Sequence, residues 1–284
     1  MIFWIASYPK SGNTWLRALI SSYYYSEDGI FNQNIIQKIG QFPEKKHFEN
    51  FAYDKNILTG TTNYWIKAQE KINIDKKLRF FKTHNSFGAL NNNHFTDNKN
   101  SIGAIYIIRD PRNVITSLKN HYELSDDQAL KWMINKKNYI YEVDNFEKYG
   151  YGNFQFISSW SMNYKSWKVQ NKIPIKIVRY EDLLSETYVI FKDIIKFINK
   201  TTFNNEKINI DKLKNSVSST FFDKLKDDED KNGFLEAVVS KKNKTKIPFF
   251  YLGPKNDWKK ILTKKLQNEI SDVFKNEFNE LGYK

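Results

Sequence analysis

A short run of residues, Lys10-Ser11-Gly12-Asn13-Thr14, has the types and the spacing of an anion-binding loop. It follows an apolar stretch of strand length and precedes residues with helical spacing. The N–H groups at a helix N-terminus lack intrahelical partners and would point at an anion, and Gly12 allows a close approach of the backbone. The loop therefore predicts phosphate or sulfate binding. The alternative is an ordinary strand-to-helix turn with a lysine by chance.

A second candidate cluster, Lys82-Thr83-His84, ends the apolar stretch that begins at Leu78. In an extended chain Lys82 and His84 share a face because they are two residues apart. An imidazole titrates near neutral pH, so His84 is a candidate proton acceptor. A purely structural histidine is the alternative.

A third candidate cluster follows the clearest buried-strand pattern in the chain, residues 104–108 (AIYII). Arg109 and Arg112 come directly after it, where Asp110 can cap a new helix and Pro111 can occupy its first turn. A second helix start with basic side chains suits a ligand that carries two separate anionic groups. Ordinary surface arginines at a helix start are the alternative.

The elements that must position these clusters alternate between strand and helix, a pattern typical of an α/β protein. Strands are predicted at 2–8, 78–84, 104–108 and 175–180. Ligands of parallel sheets collect at the carboxyl ends of the strands. We therefore predict one domain, residues 1–284, with a central parallel sheet flanked by helices and the three clusters at one edge.

Three other segments are assigned structural or surface roles. The pattern predicts a helix over 126–141, capped by Asp126. Residues 224–247 are charged with few apolar anchors, which is typical of a solvated or mobile segment. An aromatic stripe at helical spacing is expected in the core rather than in a binding platform: Trp160, Tyr164 and Trp167.

The composition argues against several kinds of site and partner. The 284 residues include no cysteine, and the four histidines lack metal-ligand spacing, so no metal site is predicted. The formal charge of +13 comes from lysines spread along the chain, which favours a basic surface over nucleic-acid binding. No apolar stretch approaches the ~20 residues that span a bilayer. With Met1 as the native start there is no signal peptide, and a cytoplasmic protein without integral membrane contact is expected.

The first loop differs from a Walker A motif, in which lysine follows the last glycine and precedes Ser or Thr. Here Lys10 precedes Gly12, and no Gly-Lys-Ser/Thr run lies nearby. A nucleotide kinase, which shares the strand–loop–helix architecture, is therefore disfavoured.

Residues 8–15 (YPKSGNTW) resemble the 5′-phosphosulfate loop of the sulfotransferases that use 3′-phosphoadenosine 5′-phosphosulfate (PAPS), whose usual form is YPKSGTTW. Residues 82–84 are similar to the KTH of that family, in which the histidine is the base. Residues 109–117 (RDPRNVITS) are similar to the family's 3′-phosphate element. The resemblance runs from residue 2 to about residue 260 and implies the P-loop-like fold of this family.

The resemblance also places an adenine site. Residues 180–182 (YED) match a family element whose tyrosine faces the adenine. The family's residues around the purine correspond here to Thr220, Phe222 and Leu225. The late family element RKGxxGDW appears as YLGPKNDW at 251–258, so Gly253 is retained while the Arg-Lys pair is Tyr-Leu. Upstream lysines, Lys244 or Lys246, are candidates for the missing charge.

The resemblance implies a role for each residue. His84 takes the proton of the acceptor, Lys10 assists the leaving group, and Lys82 steadies the sulfuryl oxygens with the N–H groups of residues 11–14. Trp15 stacks on the adenine. Arg109 and Ser117 bind the 3′-phosphate, and Ser117 also restrains the loop lysine.

The implied reaction moves the sulfuryl group of PAPS to a hydroxyl or amine, releases 3′-phosphoadenosine 5′-phosphate (PAP) and needs no metal. Residues 26–75, 140–158 and 224–250 are expected to form the acceptor pocket, for a small molecule, glycan or lipid headgroup. A kinase and an inactive or basic nucleotide-binding module stay open as alternatives.

Overall fold

The computed structural model of the protein describes residues 1–240 and 242–283. Its strands are β1 (Ile2–Ser7), β2 (Gly40–Gln41), β3 (Arg79–Thr83), β4 (Ala89–Leu90), β5 (Asn93–His94), β6 (Ser101–Ile108), β7 (Tyr139–Ile140), β8 (Gln155–Phe156), β9 (Ile175–Arg179), β10 (Val238–Val239) and β11 (Lys246–Ile247). Within the described residues, five of them form a parallel sheet in the order β2-β3-β1-β6-β9. The pairs β4–β5, β7–β8 and β10–β11 are short antiparallel hairpins or ladders.

Helices cover both faces of this sheet. They are α1 (Asn13–Tyr25), α2 (Gln33–Ile36), α3 (Trp65–Ile72), α4 (Pro111–Tyr122), α5 (Asp126–Ile134), α6 (Phe146–Tyr149), α7 (Trp160–Val169), α8 (Tyr180–Ser185), α9 (Thr187–Thr201), α10 (Ile210–Ser219), α11 (Phe222–Asn232), α12 (Trp258–Ile261), α13 (Lys264–Val273) and α14 (Lys275–Leu281). Short 3₁₀ turns lie at Lys45–His47, Gly60–Tyr64, Val143–Asn145 and Gly253–Lys255.

The alternation of side chains along β1 divides the core into two layers. Trp4 and Ala6 pack on one face with Trp160 and Trp167, whereas Phe3 and its neighbours pack on the other with α1 and α9. Every residue of β1 is buried because both faces are covered, as the continuous apolar run predicted. The expectation that Trp160, Tyr164 and Trp167 belong to the core is confirmed.

The strand register brings the three candidate clusters to one edge of the sheet. Ala6 of β1 pairs with Thr83 of β3, and Ile108 of β6 pairs with Arg179 of β9. All these strands run parallel, so the chain leaves each of them on the same side. The fold class and the common edge are therefore as predicted.

Two predictions about local structure need correction. The helix expected over 126–141 ends at Ile134, because Asn135 has an extended backbone and residues 139–140 enter a strand. Its cap is Ser125 rather than Asp126. The Ser125 hydroxyl accepts from the backbone N–H of Gln128, and the side-chain oxygen of Gln128 accepts from the backbone N–H of Ser125.

The charged segment 224–247 contains regular structure. Most of α11 and the hairpin β10–β11 lie within it, joined by the loop 233–237. Glu229 inside α11 is buried, and its carboxylate accepts the N–H groups of Phe249 and Phe250 at 2.7 and 2.8 Å. These contacts dock the segment on the edge that carries the clusters. Its mobility stays a prediction.

Candidate active site

The loop between β1 and α1 turns in a way that only its glycine accommodates easily. Gly12 is the N-cap of α1 with φ 97°, in the left-handed region. A Cβ at this position would lie 2.5 Å from Cδ2 of Tyr180. The Gly12 backbone can therefore approach the start of α8 closely, and the free N–H groups of α1 are left at the edge of the sheet.

A cavity of about 600 Å³ opens at this edge. Thirteen of the fifteen predicted site residues line it: Lys10, Gly12, Asn13, Thr14, Trp15, Lys82, His84, Arg109, Ser117, Tyr180, Phe222, Leu225 and Gly253. They come from six separate segments of the chain, which the parallel sheet and α11 bring together. The geometry thus supports one continuous site.

Three residues singled out from the sequence lie elsewhere. Ser11 and Thr220 are fully buried and do not line the cavity, and the Thr220 hydroxyl donates to the carbonyl of Ser216 in α10. Arg112 turns away to the Asp110 carboxylate, with Nη2 and Oδ2 2.7 Å apart. It also stacks on the ring of Trp258, so it fastens the C-terminal helices to α4 rather than presenting a charge to the cavity.

His84 is held by hydrogen bonds on three sides. Its backbone N–H donates to Oε1 of Gln155, and its backbone carbonyl accepts from Nδ2 of Asn163. Its ring Nδ1 lies 2.9 Å from the carbonyl oxygen of Ser7, which can only accept, so we assign the proton to Nδ1 and the lone pair to Nε2. Burial, with the neighbouring charge of Lys82, lowers the pKa of His84 to about 3. The imidazole is therefore neutral at physiological pH.

Asn13, where the related loops have threonine, braces this arrangement. Its amide donates to the carbonyl of Ile5 at 2.9 Å and to the hydroxyl of Ser7 at 3.2 Å. That hydroxyl is in turn 3.2 Å from Nδ1 of His84. Asn13 thus lines the cavity, but its side-chain amide donates to β1.

Two lysines of the cavity, Lys10 and Lys82, are partly buried. Burial, helped by the charges of Lys82 and Arg109, lowers the pKa of Lys10 to about 7. Burial likewise lowers the pKa of Lys82, against the opposing charge of Glu236. The Lys10 ammonium lies 4.1 Å from the ring centroid of Phe249. A bound anion would compensate the desolvation of both groups.

Aromatic and guanidinium groups form another part of the cavity wall. The rings of Trp15 and Tyr180 meet edge to face at 5.5 Å, and the guanidinium of Arg109 lies 4.3 Å from the ring centroid of Tyr180. Within the described part of the chain, Nε1 of Trp15 and Nε of Arg109 are buried without a hydrogen-bond partner. Unused donors beside aromatic faces suit a nucleotide, so these residues fit PAPS or PAP.

Sequence reasoning missed a carboxylate and an arginine in the site. Glu236, in the loop 233–237, accepts from Oγ1 of Thr14 at 2.7 Å and from Nζ of Lys82 at 3.2 Å. It is also ion-paired with Arg17, whose side chain is only 7% exposed. Burial alone would raise the pKa of Glu236, yet the charges of Lys82 and Arg17 hold it well below its usual value. For Arg17 the sequence offered one signal: helical spacing places it one turn after Asn13, on the same face of α1.

A second cavity of about 550 Å³ adjoins the first, with Lys82 and Glu236 in the walls of both. All three segments expected to form an acceptor pocket contribute to its other walls, together with Arg17 and Tyr122. Amide and charged side chains are prominent among them: Arg17, Gln33, Gln37, Gln41, Glu44, Lys46, Glu142, Asn153 and Gln155.

The late element, residues 251–258, lies against the first cavity. Tyr251 and Leu252 line it where the related element has two cations, while Lys244 and Lys246 do not. Lys224 of α11 does line it. The charge expected from Lys244 or Lys246 is thus not supplied at the cavity wall, where Lys224 is a better candidate.

Within residues 1–240 and 242–283, no group of three or more histidine or acidic side chains is arranged to hold a metal ion. No helix in the same part of the chain combines the length and the apolar character needed to cross a bilayer.

A sequence profile of the sulfotransferase domain matches residues 2–282. The chain belongs to the sulfotransferase domain family. This sulfotransferase-domain chain is 28% identical over 231 residues to luciferin sulfotransferase of Photinus pyralis, which covers 78% of this chain and 56% of that relative. It is 24% identical over 272 residues to sulfotransferase 1B1 of Mus musculus, which covers 95% of this chain and 80% of the relative.

The sulfotransferase-domain chain also shares its fold with solved structures of the family. Mouse sulfotransferase SULT7A1 complexed with PAP superposes with a TM-score of 0.53 at 17% identity, covering 98% of this chain and 83% of that one. Retinol dehydratase in complex with retinol and PAP superposes with a TM-score of 0.55 at 16% identity, covering 98% of this chain and 81% of that one. The P-loop-like sulfotransferase fold predicted from the resemblance is confirmed.

Proposed function

We propose that the protein transfers the sulfuryl group of PAPS to a hydroxyl or amine of a polar acceptor and releases PAP. The observation that carries this proposal is the convergence of Lys10, Lys82, His84 and Arg109 in one cavity at the carboxyl edge of the sheet. A kinase has less support, because Asn13 stands between Gly12 and Thr14 where a Walker A loop has its lysine.

The chemistry requires in-line placement and charge neutralisation more than covalent catalysis. The bound donor supplies the sulfuryl group. Nε2 of His84 accepts the proton of the acceptor hydroxyl as its oxygen attacks sulfur, so the bond from sulfur to the bridging oxygen breaks and the electron pair stays on the 5′-phosphate. Lys10 neutralises that oxygen, and Lys82 with the N–H groups at the start of α1 stabilises the sulfuryl oxygens.

Another part of the cavity would hold the rest of the donor. Trp15, Tyr180 and Phe222 provide aromatic surfaces for the adenine, next to Leu225 and Gly253. Arg109 and Ser117 would bind the 3′-phosphate, and Lys224 would contribute the charge that the late element lacks. These assignments follow the family pattern residue by residue, apart from Lys224.

The acceptor would occupy the second cavity. Hydrogen-bonding walls disfavour a purely apolar acceptor, since buried amides such as Gln155 would lose partners on binding it. A polyhydroxylated acceptor, such as a sugar, would pair with these groups. By contrast, one relative is a luciferin sulfotransferase, and retinol dehydratase is known in complex with retinol.

The decisive test is calorimetric titration of the purified protein with PAP, in the presence of chelator, with ADP as the matched ligand that lacks the 3′-phosphate. Tight binding of PAP and weak binding of ADP would support the donor class. Equal or absent binding of both would contradict it. Transfer from labelled PAPS to a panel of sugars and phenols would then identify the acceptor class.

A further inference from the structure

The carboxylate of Glu236 lies among the groups that would bind the sulfated end of the donor. One oxygen accepts from the hydroxyl of Thr14, at the start of α1, and the other accepts from Lys82. Both partners belong to the proposed phosphosulfate site. Like the sulfated end of the donor, a carboxylate is negatively charged and has oxygens that accept hydrogen bonds. Glu236 and the donor therefore cannot both accept from Thr14 and Lys82 at the same time.

The charges around Glu236 stabilise it in this position. It is ion-paired with Arg17, which is almost fully buried. Nη2 of Arg17 also donates to the carbonyls of Ile36 and Ile39 at 3.3 and 3.0 Å. An unpaired charge at such a place is costly, which favours the closed arrangement when no other anion is present.

The loop that carries Glu236 is built so that it can leave. It connects α11 to β10 as a short link at the surface, in which Gly233 has a positive φ of 75° and Leu235 is 70% exposed. The Glu236 side chain itself is 25% exposed. Besides Glu236 itself, two residues hold the link. The amide of Gln33 donates to the carbonyl of Gly233 at 2.7 Å, and the ring of Phe234 lies 5.0 and 5.1 Å from the rings of Phe249 and Phe250. Opening of the loop therefore breaks a few polar contacts and the ring contacts of one partly buried residue, Phe234.

We propose that Glu236 is an internal competitor of the donor: its carboxylate fills the anion site of the free protein, and the loop 233–237 must move out before PAPS or PAP can bind. This inference rests on the proposed function. Donor binding then includes a conformational step, and release of Glu236 leaves Arg17 facing the second cavity.

The kinetic consequence can be measured on the unaltered protein. PAP is mixed with it in a stopped-flow instrument, and the tryptophan fluorescence is followed, since Trp15 lines the site. If the loop must open first, the observed rate reaches a plateau as the PAP concentration rises. Glu236→Gln keeps the shape of the side chain but removes its charge, so its rates should rise linearly over the same range.

The affinity consequence uses a matched control. Glu236→Gln should bind PAP about tenfold or more tightly than the natural protein, a gain of ~1.4 kcal/mol. Asp227→Asn removes the same charge from an exposed position of α11 outside the cavity, and should leave the affinity unchanged. Thermal unfolding of each variant checks that it is folded. The plateau of the binding rate is measured on the natural protein, so that test does not depend on the folding of a variant.

The outcomes separate the two proposals. Preferential binding of PAP over ADP by the natural protein, with unchanged affinity in Glu236→Gln, would overturn the competitor role and leave the proposed function standing. Tighter binding of PAP by Glu236→Gln, with rates that rise linearly in both proteins, would also overturn the competitor role. Electrostatic repulsion between Glu236 and PAP would then explain the difference in affinity without any movement of the loop. Failure of every variant to prefer PAP over ADP would instead reject the proposed function.

Discussion

The ring Nδ1 of His84 lies 2.9 Å from the carbonyl oxygen of Ser7, the last residue of the first strand. The contact joins the ends of two neighbouring strands and sets the tautomer of the imidazole, because a carbonyl offers no proton. Nε2 is thereby left as the basic nitrogen. The sheet register thus determines which nitrogen can accept a proton from substrate.

Replacement of His84 by alanine should lower turnover by roughly 10²–10⁴-fold, because the acceptor would lose its base. Affinity for PAP, measured by calorimetry, should stay unchanged, since the histidine is assigned no contact with the nucleotide. His94→Ala is the control, as His94 is exposed and lies outside both cavities. Near-normal turnover of His84→Ala would remove it as the base.

Binding of PAP should take up nearly one proton per site at pH 8 to 9. Burial lowers the pKa of Lys10 to about 7, so the amine is mostly neutral there in the free protein. An anionic ligand favours the charged form and raises that pKa, and affinity should fall as pH rises above 7.

Calorimetry in buffers of different ionisation enthalpy measures this proton uptake. In Lys10→Arg the guanidinium stays charged over the whole range, so the uptake should disappear. Proton release, or an uptake that persists in Lys10→Arg, would contradict the assignment.

Arg109→Ala should weaken PAP binding by about tenfold or more, with little effect on ADP, because the charge is assigned to the 3′-phosphate. Arg79→Ala provides the control, since Arg79 pairs with Asp75 near the start of β3, away from the cavity. The ratio of the two dissociation constants is the readout. A ratio that is unchanged in Arg109→Ala would place the 3′-phosphate elsewhere.

Gly253→Ala should weaken both folding and PAP binding. Gly253 has a φ of 50°, and a Cβ there would collide with the ring of Phe222, which lines the cavity. Gly282 has a similar φ of 69°, but among the residues that the structure describes no heavy atom of a neighbour lies within 4 Å of its Cβ position. Gly282→Ala thus incurs only the backbone strain of ~1 kcal/mol, and the difference between the two variants in free energy of unfolding measures the collision.

Turnover with PAPS should be unaffected by excess chelator. The charge of the leaving phosphate is assigned to Lys10 rather than to a metal ion. Assays with chelator, with added Mg²⁺ and with neither should give the same rate. A strict requirement for Mg²⁺ would revive the kinase interpretation.

Local sequence determined the fold class and most of the site. The apolar run of residues 2–7 and the pattern at 104–108 encode buried parallel strands, because both faces of each must be covered. The residue after each strand then falls at the same edge, so Lys82, His84 and Arg109 were placed together correctly. The end of α5 was misjudged, since the polar residues after Ile134 fit either a solvated helix or a turn.

Tertiary structure alone decided which side chains meet across the chain. Glu236 binds a residue 222 positions away, and it came from a segment whose composition indicated only solvent exposure. The hydrophobic periodicity of the sequence does not predict such a pairing, because the pairing depends on how α11 and its loop pack on the edge of the sheet. For the same reason Thr220 and Arg112, with suitable side chains at suitable positions, lie turned away from the cavity. Chemical type is local, whereas the direction and the partner of a side chain are set by packing.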